Sequence, residues 1–104
     1  MPRNAYREQI LKDAWIGDAV LELYIRLKIL REDGITDGEK AQRMTSNSFL
    51  SIVAEPSETE AAIGRAYLAD GLPAAFAWIE EKLVPHYERR EAARVKRPKT
   101  SAGA

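Results

Sequence analysis

The apolar residues of this chain recur every three or four positions, most regularly in an early run on one helical face. The run consists of Trp15, Ala19, Leu23 and Leu27, with Ile16, Val20 and Leu30 close beside them. This spacing matches the 3.6-residue turn of an α-helix, and the apolar arc is wide enough for a largely buried one. We expect this helix to run to about Leu30 and to end at Gly34, which suits a left-handed cap.

A second helix is predicted over residues 36–54 from the same periodicity. Thr36 and Glu39 have the spacing of a capping box, with Thr36 as the N-cap. The run Ser46-Asn47-Ser48 interrupts this helix with poor helix formers. The positions predicted to face inward are Ala41, Met44, Phe49, Ile52 and Val53.

Two more helices complete the prediction. The third follows Pro56, because the residue before a proline is disfavoured in a helix; Ser57 and Glu60 resemble a second capping box. It ends at Ala69-Asp70-Gly71. The last is predicted from Ala74 to about Arg90, with a kink at Pro85. It packs through Ala75, Phe76, Ile79 and Leu83. No stretch alternates as a strand does, so the predicted fold class is all-α.

Length and composition set the scale of the domain. The chain has 104 residues, enough for one domain, predicted as residues 1–93, that buries roughly 60–65% of its unfolded surface. Such a monomer is marginally stable, which favours a dimer that extends the core. There is no cysteine, no signal-peptide pattern and no segment of membrane-spanning length. We therefore expect a cytoplasmic protein with no membrane partner.

Charge is balanced overall, with 16 basic and 16 acidic residues, and gives no argument for a nucleic-acid partner. Basic residues nevertheless dominate residues 89–99, and we expect residues 94–104 to form a basic, disordered tail. The side chains that would contact RNA phosphates are Arg94, Lys96, Arg97 and Lys99. A solvated helix end that frays into a tail is the alternative explanation.

Gly17 and Asp18 are unusual within the first apolar run. Glycine in a helix interior costs roughly 1 kcal/mol relative to alanine, and Asp18 brings a charge close to a core. Glycine lets another backbone or side chain approach closely, and an acid beside a core is a candidate functional group. Asp13 lies off the face of Asp18 and is predicted to be solvated.

Two segments resemble motifs of the ribonuclease III family. Trp-Ile-Gly-Asp-Ala-Val-Leu-Glu-Leu-Tyr, at residues 15–24, resembles the family's signature helix. Glu-Ala-Ala-Ile-Gly-Arg-Ala-Tyr-Leu, at residues 60–68, resembles a downstream helix that carries another metal-binding acid. Full-length members have acids where this chain has Leu11, Ala14 and Ser57. The chain therefore looks closest to the Mini-ribonuclease III branch, which has the nuclease domain without a double-stranded-RNA-binding domain.

The resemblance implies a ribonuclease III-like helical domain with a metal-dependent site. Asp18 and Glu60 match the family's metal-binding and catalytic acids, with Mg²⁺, or Mn²⁺ in its place, as the cofactor. Asn47 matches a polar residue near the family's active centre. Glu22 lies one turn after Asp18 on the same helix face, where it would help to order a metal-bound water. Alternatives stay open: Glu22 can pair with Arg26, Asn47 can be an exposed turn residue, and Glu60 can cap its own helix.

The resemblance also implies a two-fold dimer formed through the signature helix, with double-stranded RNA held between two acid clusters. Trp15 matches a large residue that inserts into a cavity on the partner, and Gly17 would let the two helices approach. An intrachain core position is the alternative for Trp15. One helical segment of the family is missing, because Val53 and Ser57 are nearly adjacent; in relatives that segment helps form the RNA-facing surface.

These features predict a metal-dependent, homodimeric endoribonuclease that cleaves double-stranded RNA, with a ribosomal RNA precursor as the expected substrate. The missing segment and the neutral net charge favour an alternative, a catalytically inactive ribonuclease III-like dimer that acts as an RNA- or ribosome-associated structural protein. A helical dimerisation module without an RNA partner is a third hypothesis.

Overall fold

A computed structural model describes residues 5–96, with the side chains of residues 5–94. This part of the chain forms helices and no strand, which confirms the predicted all-α class. The helices are α1 (Ala5–Asp33), α2 (Gly38–Thr45), α3 (Asn47–Leu50), α4 (Pro56–Lys82) and α5 (Val84–Lys96). Within the described range, no helix is both long and apolar enough to cross a membrane.

α1 is the central helix and packs mainly against α4. Its end is the predicted one: Gly34 has φ 78°, and its N–H donates to the carbonyl of Leu30 at 3.1 Å. A positive φ is easily adopted by glycine because it has no Cβ, so the local sequence was sufficient to predict this cap.

The buried face of α1 is not the one that the apolar run predicted. The residues that reach the core are Ile10, Ala14, Val20, Leu21, Tyr24, Ile25 and Ile29. Of the predicted run, Val20 is buried, but Trp15 is 80% exposed, and Leu23, Leu27 and Leu30 are more than 40% exposed. At about 100° per residue, the two sets point in roughly opposite directions. α1 is therefore apolar on two sides, and its periodicity alone does not tell which side α4 covers.

Ser46 divides the predicted second helix into α2 and α3. Its backbone is extended (φ −73°, ψ 153°), and its hydroxyl accepts a hydrogen bond from the N–H of Phe49. The N-cap of α2 is Asp37 rather than the predicted Thr36, because the Asp37 carboxylate accepts from the N–H of Lys40 at 3.0 Å. Either residue type is a good N-cap, so residue type alone did not decide between them.

The segment after α3 also differs from the prediction, because regular helix ends at Leu50 instead of Ala54. Met44 and Phe49 are buried as predicted, whereas Ile52 and Val53 are 37% and 38% exposed. Thr59 fixes this connection, since its buried hydroxyl donates to the carbonyls of Leu50 and Ala54.

α4 begins two residues earlier than a cap at Ser57 would require. Its N-cap is Glu55, whose carboxylate accepts from the N–H of Glu58 at 3.3 Å. The capping box predicted for Ser57 and Glu60 is therefore wrong, and Glu60 does not cap the helix. Gly71 (φ 86°, ψ −177°) divides α4 into two segments at the predicted helix end.

α4 and α5 together replace the predicted last helix. They are separated at Leu83, just before Pro85, so the predicted kink is a break between two helices. α5 continues through Lys96, past the predicted boundary at Ala93. Residues 97–104, which were predicted to be part of a disordered tail, lie outside the described residues.

α5 is held to the rest of the fold by aromatic contacts and ion pairs. The ring of Tyr87 packs edge-on against the ring of Phe49, with centroids 6.1 Å apart. Lys28, only 5% exposed, pairs with Glu88 on α5 at 2.7 Å. A buried ammonium is tolerated when it is paired in this way. α5 therefore belongs to the folded domain.

Candidate metal site and exposed apolar face

α1 and α4 meet backbone to backbone at two glycines. A Cβ built on Gly17 would lie 1.8 Å from the carbonyl oxygen of Glu60, and one built on Gly64 would lie 1.9 Å from that of Asp13. Real Cβ atoms essentially never approach closer than 3.0 Å, so a side chain at either position would force the helices apart. The close approach predicted at Gly17 is confirmed, but it occurs within the chain, whereas the prediction assigned it to the dimer contact.

This crossing brings the two predicted metal ligands together. Asp18 is exposed on α1 and Glu60 is half-buried on α4, and the Asp18 carboxylate lies close enough to Glu60 to influence its ionisation. Burial raises the pKa of Glu60 to about 7, with further contributions from the charge and hydrogen bond of Asp18 and the charge of Glu55.

The chemistry of this pair fits a divalent cation. Two adjacent carboxylates oppose each other's ionisation, and a cation between them would relieve that repulsion. Carboxylate oxygens are ligands that Mg²⁺ prefers, and Mg²⁺ is commonly bound by only one or two of them, with waters and substrate phosphates completing its coordination. Among the described residues no group of three or more metal-ligating side chains is present. The pair therefore meets the smallest donor set for such a site.

The two predicted supporting residues, Glu22 and Asn47, are not positioned by the described contacts to support Asp18 and Glu60. Glu22 accepts a hydrogen bond from Arg26 at 3.0 Å, which is the surface salt bridge left open as its alternative. Asn47 is exposed at the first position of α3. The structure thus brings together Asp18 and Glu60, with Glu55 close enough to influence Glu60 electrostatically.

A second feature of α1 is the apolar face that the chain leaves uncovered, here called the α1 stripe. Its members are Leu11, Trp15, Ala19, Leu23, Leu27 and Leu30, all exposed. The intrachain core position considered for Trp15 is contradicted, because its side chain is 80% exposed. Contiguous exposed apolar surface of this kind commonly marks an interaction site.

A cavity of about 420 Å³ lies beside the far end of the α1 stripe, between α1 and α2. Its apolar lining comes from Ile29, Leu30 and Ala41. Arg26 and Gln42 are among the polar residues that line it. No sequence signal predicted this cavity, because it arises from the angle at which α2 returns along α1.

The predicted RNA-contacting residues fall at the end of α5. Arg94 is exposed, Lys96 is the last residue of the helix, and Arg97 and Lys99 lie outside the described residues. The acids of α5 are engaged by bases elsewhere: Glu88 by Lys28 and Glu91 by Arg43, at 2.7 and 2.8 Å.

Sequence interpretation missed the buried polar groups. Asp13, predicted to be solvated, is only 5% exposed; it accepts from Gln9 at 3.0 Å and lies 3.7 Å from Arg65 on α4. Lys28 is buried between α1 and α5, and only its pairing with Glu32 follows the i, i+4 spacing visible in the sequence. Gln9 likewise lies four residues before Asp13, but Arg65 and Glu88 come from distant positions, so no local pattern indicates them.

Comparison of the chain with models of protein families, with curated proteins and with solved structures found no match. The resemblance to ribonuclease III rests on the two motifs quoted above and stays a prediction.

Proposed function

We propose that this protein is a metal-dependent endoribonuclease of the ribonuclease III type that cleaves double-stranded RNA, with ribosomal RNA precursors as its substrate in the cytoplasm. One observation carries the proposal: the acids of the two motif-bearing helices, Asp18 and Glu60, lie close enough for Asp18 to raise the pKa of Glu60. They come from distant parts of the chain, and both match the metal-binding acids that the resemblance implies.

Each acid has a definable task in this chemistry. A bound Mg²⁺ supplies a more acidic water and stabilises charge on the leaving oxygen in phosphodiester hydrolysis. Asp18 is exposed and would hold the cation on the solvent side, where RNA can approach. Glu60 is half-buried, and it has to release its proton before it can bind the cation. Mn²⁺ would be held by the same oxygen donors.

A two-fold dimer through α1 is part of the proposal, and the α1 stripe supports it. A helix that is apolar on opposite sides needs two partners, and α4 covers only one side. Trp15, Ala19, Leu23 and Leu27 form an i, i+4 ridge of the kind that packs into the grooves of another helix. In an antiparallel two-fold pair, Trp15 would face the Leu27 end of the second copy and Ala19 would face Leu23.

The cavity between α1 and α2 suits the Trp15 side chain of a second copy. It lies beside Leu30, at the end of the ridge that an antiparallel partner would bring opposite Trp15. Its volume of about 420 Å³ is within the range of small-ligand pockets and can accept an indole ring. Its lining also includes Gln42 and Thr45, whose side-chain oxygens can accept the hydrogen bond that a buried indole N–H needs.

The test is a cleavage assay on generic double-stranded RNA with Mg²⁺ or Mn²⁺. We expect wild-type protein to cut, and Asp18→Asn and Glu60→Gln each to abolish cleavage while retaining the helical circular dichroism spectrum. Glu81→Gln is the matched control, since Glu81 is an exposed acid on α4 whose ion pair with Lys82 is long, at 3.9 Å. Full activity in the Asp18→Asn protein would refute the proposal.

A second candidate is the inactive ribonuclease III-like dimer that serves as an RNA- or ribosome-associated structural protein. It is favoured by the absence, within the described residues, of a third metal-ligating side chain beside Asp18 and Glu60. Salt-dependent binding of double-stranded RNA without cleavage, in the presence of either metal ion, would select this function. Arg94, Lys96, Arg97 and Lys99 would supply phosphate contacts under both hypotheses.

A further inference from the structure

The glycine crossing between α1 and α4 lies beside both carboxylates of the candidate site. Gly17 immediately precedes Asp18, and the atom nearest to a Cβ built on Gly17 is the carbonyl oxygen of Glu60. The contact is reciprocal, because the space around Gly64 is closed by the carbonyl of Asp13 and the backbone nitrogen of Gly17. The backbones that carry Asp18 and Glu60 are therefore in direct contact.

We propose that Gly17 and Gly64 are positioning residues that set the separation of the Asp18 and Glu60 carboxyl groups, and with it the ability of this pair to hold a divalent cation. The inference rests on the proposed function, since it concerns the same metal site. Asp and Glu side chains are short, so only a narrow range of backbone separations lets both reach one cation. A simple packing role for the glycines is the competing explanation.

The size of the effect follows from the clash distances. A Cβ on Gly64 would have to move from 1.9 Å to beyond 3.0 Å from the Asp13 carbonyl oxygen. Because that oxygen belongs to helix backbone and the Cβ is fixed to it, the helices themselves must separate by about 1 Å. A displacement of this size can cost on the order of 10²-fold in the rate of a positioned reaction, and it should weaken a site built from two short side chains as well. Replacing Asp18 by glutamate adds one methylene group, about 1.5 Å of reach, which is enough to span the wider gap.

The experiment measures Mn²⁺ binding by the full chain, following free Mn²⁺ through its electron paramagnetic resonance signal. Gly64→Ala should bind Mn²⁺ at least about tenfold more weakly than wild type while keeping its helical circular dichroism. Gly38→Ala is the matched control, because nothing lies within 4 Å of a Cβ at that helical glycine. It should bind as wild type does.

The decisive comparison is Asp18→Glu in two backgrounds. In the wild-type background the longer side chain should weaken Mn²⁺ binding, whereas in the Gly64→Ala background it should restore it. A packing role alone gives no such reversal. Equal effects of Asp18→Glu in the two backgrounds, or unchanged Mn²⁺ affinity in folded Gly64→Ala protein, would overturn the positioning role alone. Failure of the wild type to bind Mn²⁺ would overturn the metal site and the proposed function with it.

If the Gly64→Ala protein does not fold, the inference can be tested by exchanging the two acids and leaving both glycines in place. Asp18→Glu and Glu60→Asp each change the combined reach of the two side chains, and the double variant restores it. With the backbone separation fixed by the crossing, we expect each single variant to lose Mn²⁺ affinity and the double variant to recover it. Single variants that bind as well as wild type would overturn the inference.

Discussion

Replacing Trp15 with alanine should separate dimerisation from folding, because the indole is 80% exposed in the single chain. A tryptophan buries about 150–250 Å² when covered, so this one has roughly 120–200 Å² left to cover. For both copies of a two-fold contact, about 25 cal/mol per Å² gives roughly 6–10 kcal/mol before the costs of association and ordering. Truncating a central aromatic residue commonly costs about 2–4 kcal/mol of this.

Two symmetry-related truncations should therefore raise the dimer dissociation constant by about 10³-fold or more, since each 1.4 kcal/mol is a factor of ten. The assay is sedimentation velocity over the micromolar range. The free energy of unfolding of the isolated monomer should change by no more than about 0.5 kcal/mol, because no intrachain packing is lost. Tyr6→Ala is the control: Tyr6 is 70% exposed on the other side of α1 and should leave the dimer intact.

Two results would refute this reasoning. A Trp15→Ala protein that is still dimeric at micromolar concentration would show that Trp15 is not at the contact. A wild-type protein that is monomeric at the same concentration would remove the dimer through the α1 stripe altogether.

Three further predictions follow from the site, the tail and the core. Because the pKa of Glu60 rises from 4.5 to about 7 on folding, its protonated form is favoured in the fold. The free energy of unfolding should decrease by about 1 kcal/mol between these pH values, after allowance for solvent screening, as measured by urea titration with a chelator; Mn²⁺ affinity should rise over the same range. Deleting residues 94–104 should weaken binding of double-stranded RNA and flatten its salt dependence. Phe49→Ala should destabilise the fold by about 3–5 kcal/mol, because Phe49 is fully buried against Tyr87.

Each of these predictions has a distinct contrary outcome. Asp18→Asn removes the Asp18 charge but leaves Glu60 half-buried, so the pH dependence of stability should become weaker without disappearing; an unchanged pH dependence in this variant would contradict the contribution assigned to Asp18. If the salt dependence of RNA binding is unchanged after the deletion, the basic residues do not contact RNA, and the alternative explanation of a solvated helix end is correct. A loss below about 1 kcal/mol in Phe49→Ala, the level of an ordinary surface change, would contradict the packing of α3 against α5.

Where the chain turns or breaks could be predicted from the sequence. Gly34 and Gly71 take positive φ values at the predicted helix ends, and Pro56 begins α4 after the predicted interruption. These signals depend on the conformational limits of one or two residues, so tertiary structure did not override them. The close approach at Gly17 was predicted on the same basis, but the identity of the approaching backbone was not.

The two acids of the candidate site were predicted from the sequence, but the residues around them were not. Asp18 and Glu60 were named from motifs that resemble those of one family, and the fold brings Asp18 close enough to Glu60 to raise its pKa. The role of Glu55 as the cap of α4 was assigned to Ser57 instead, because serine is the better N-cap residue type, whereas Pro56 occupies the first helical position and so makes Glu55 the cap.

What only the tertiary structure decided is which of two apolar faces becomes the core. α1 carries Leu21 and Ile25 on one side and Trp15 and Leu27 on the other, and both sets have helical spacing. Burial depends on where α4 lies, and α4 lies where the small surfaces of Gly17 and Gly64 permit backbone contact. Periodicity records that a face is apolar; the partner that covers it is fixed by shape complementarity between residues far apart in the chain.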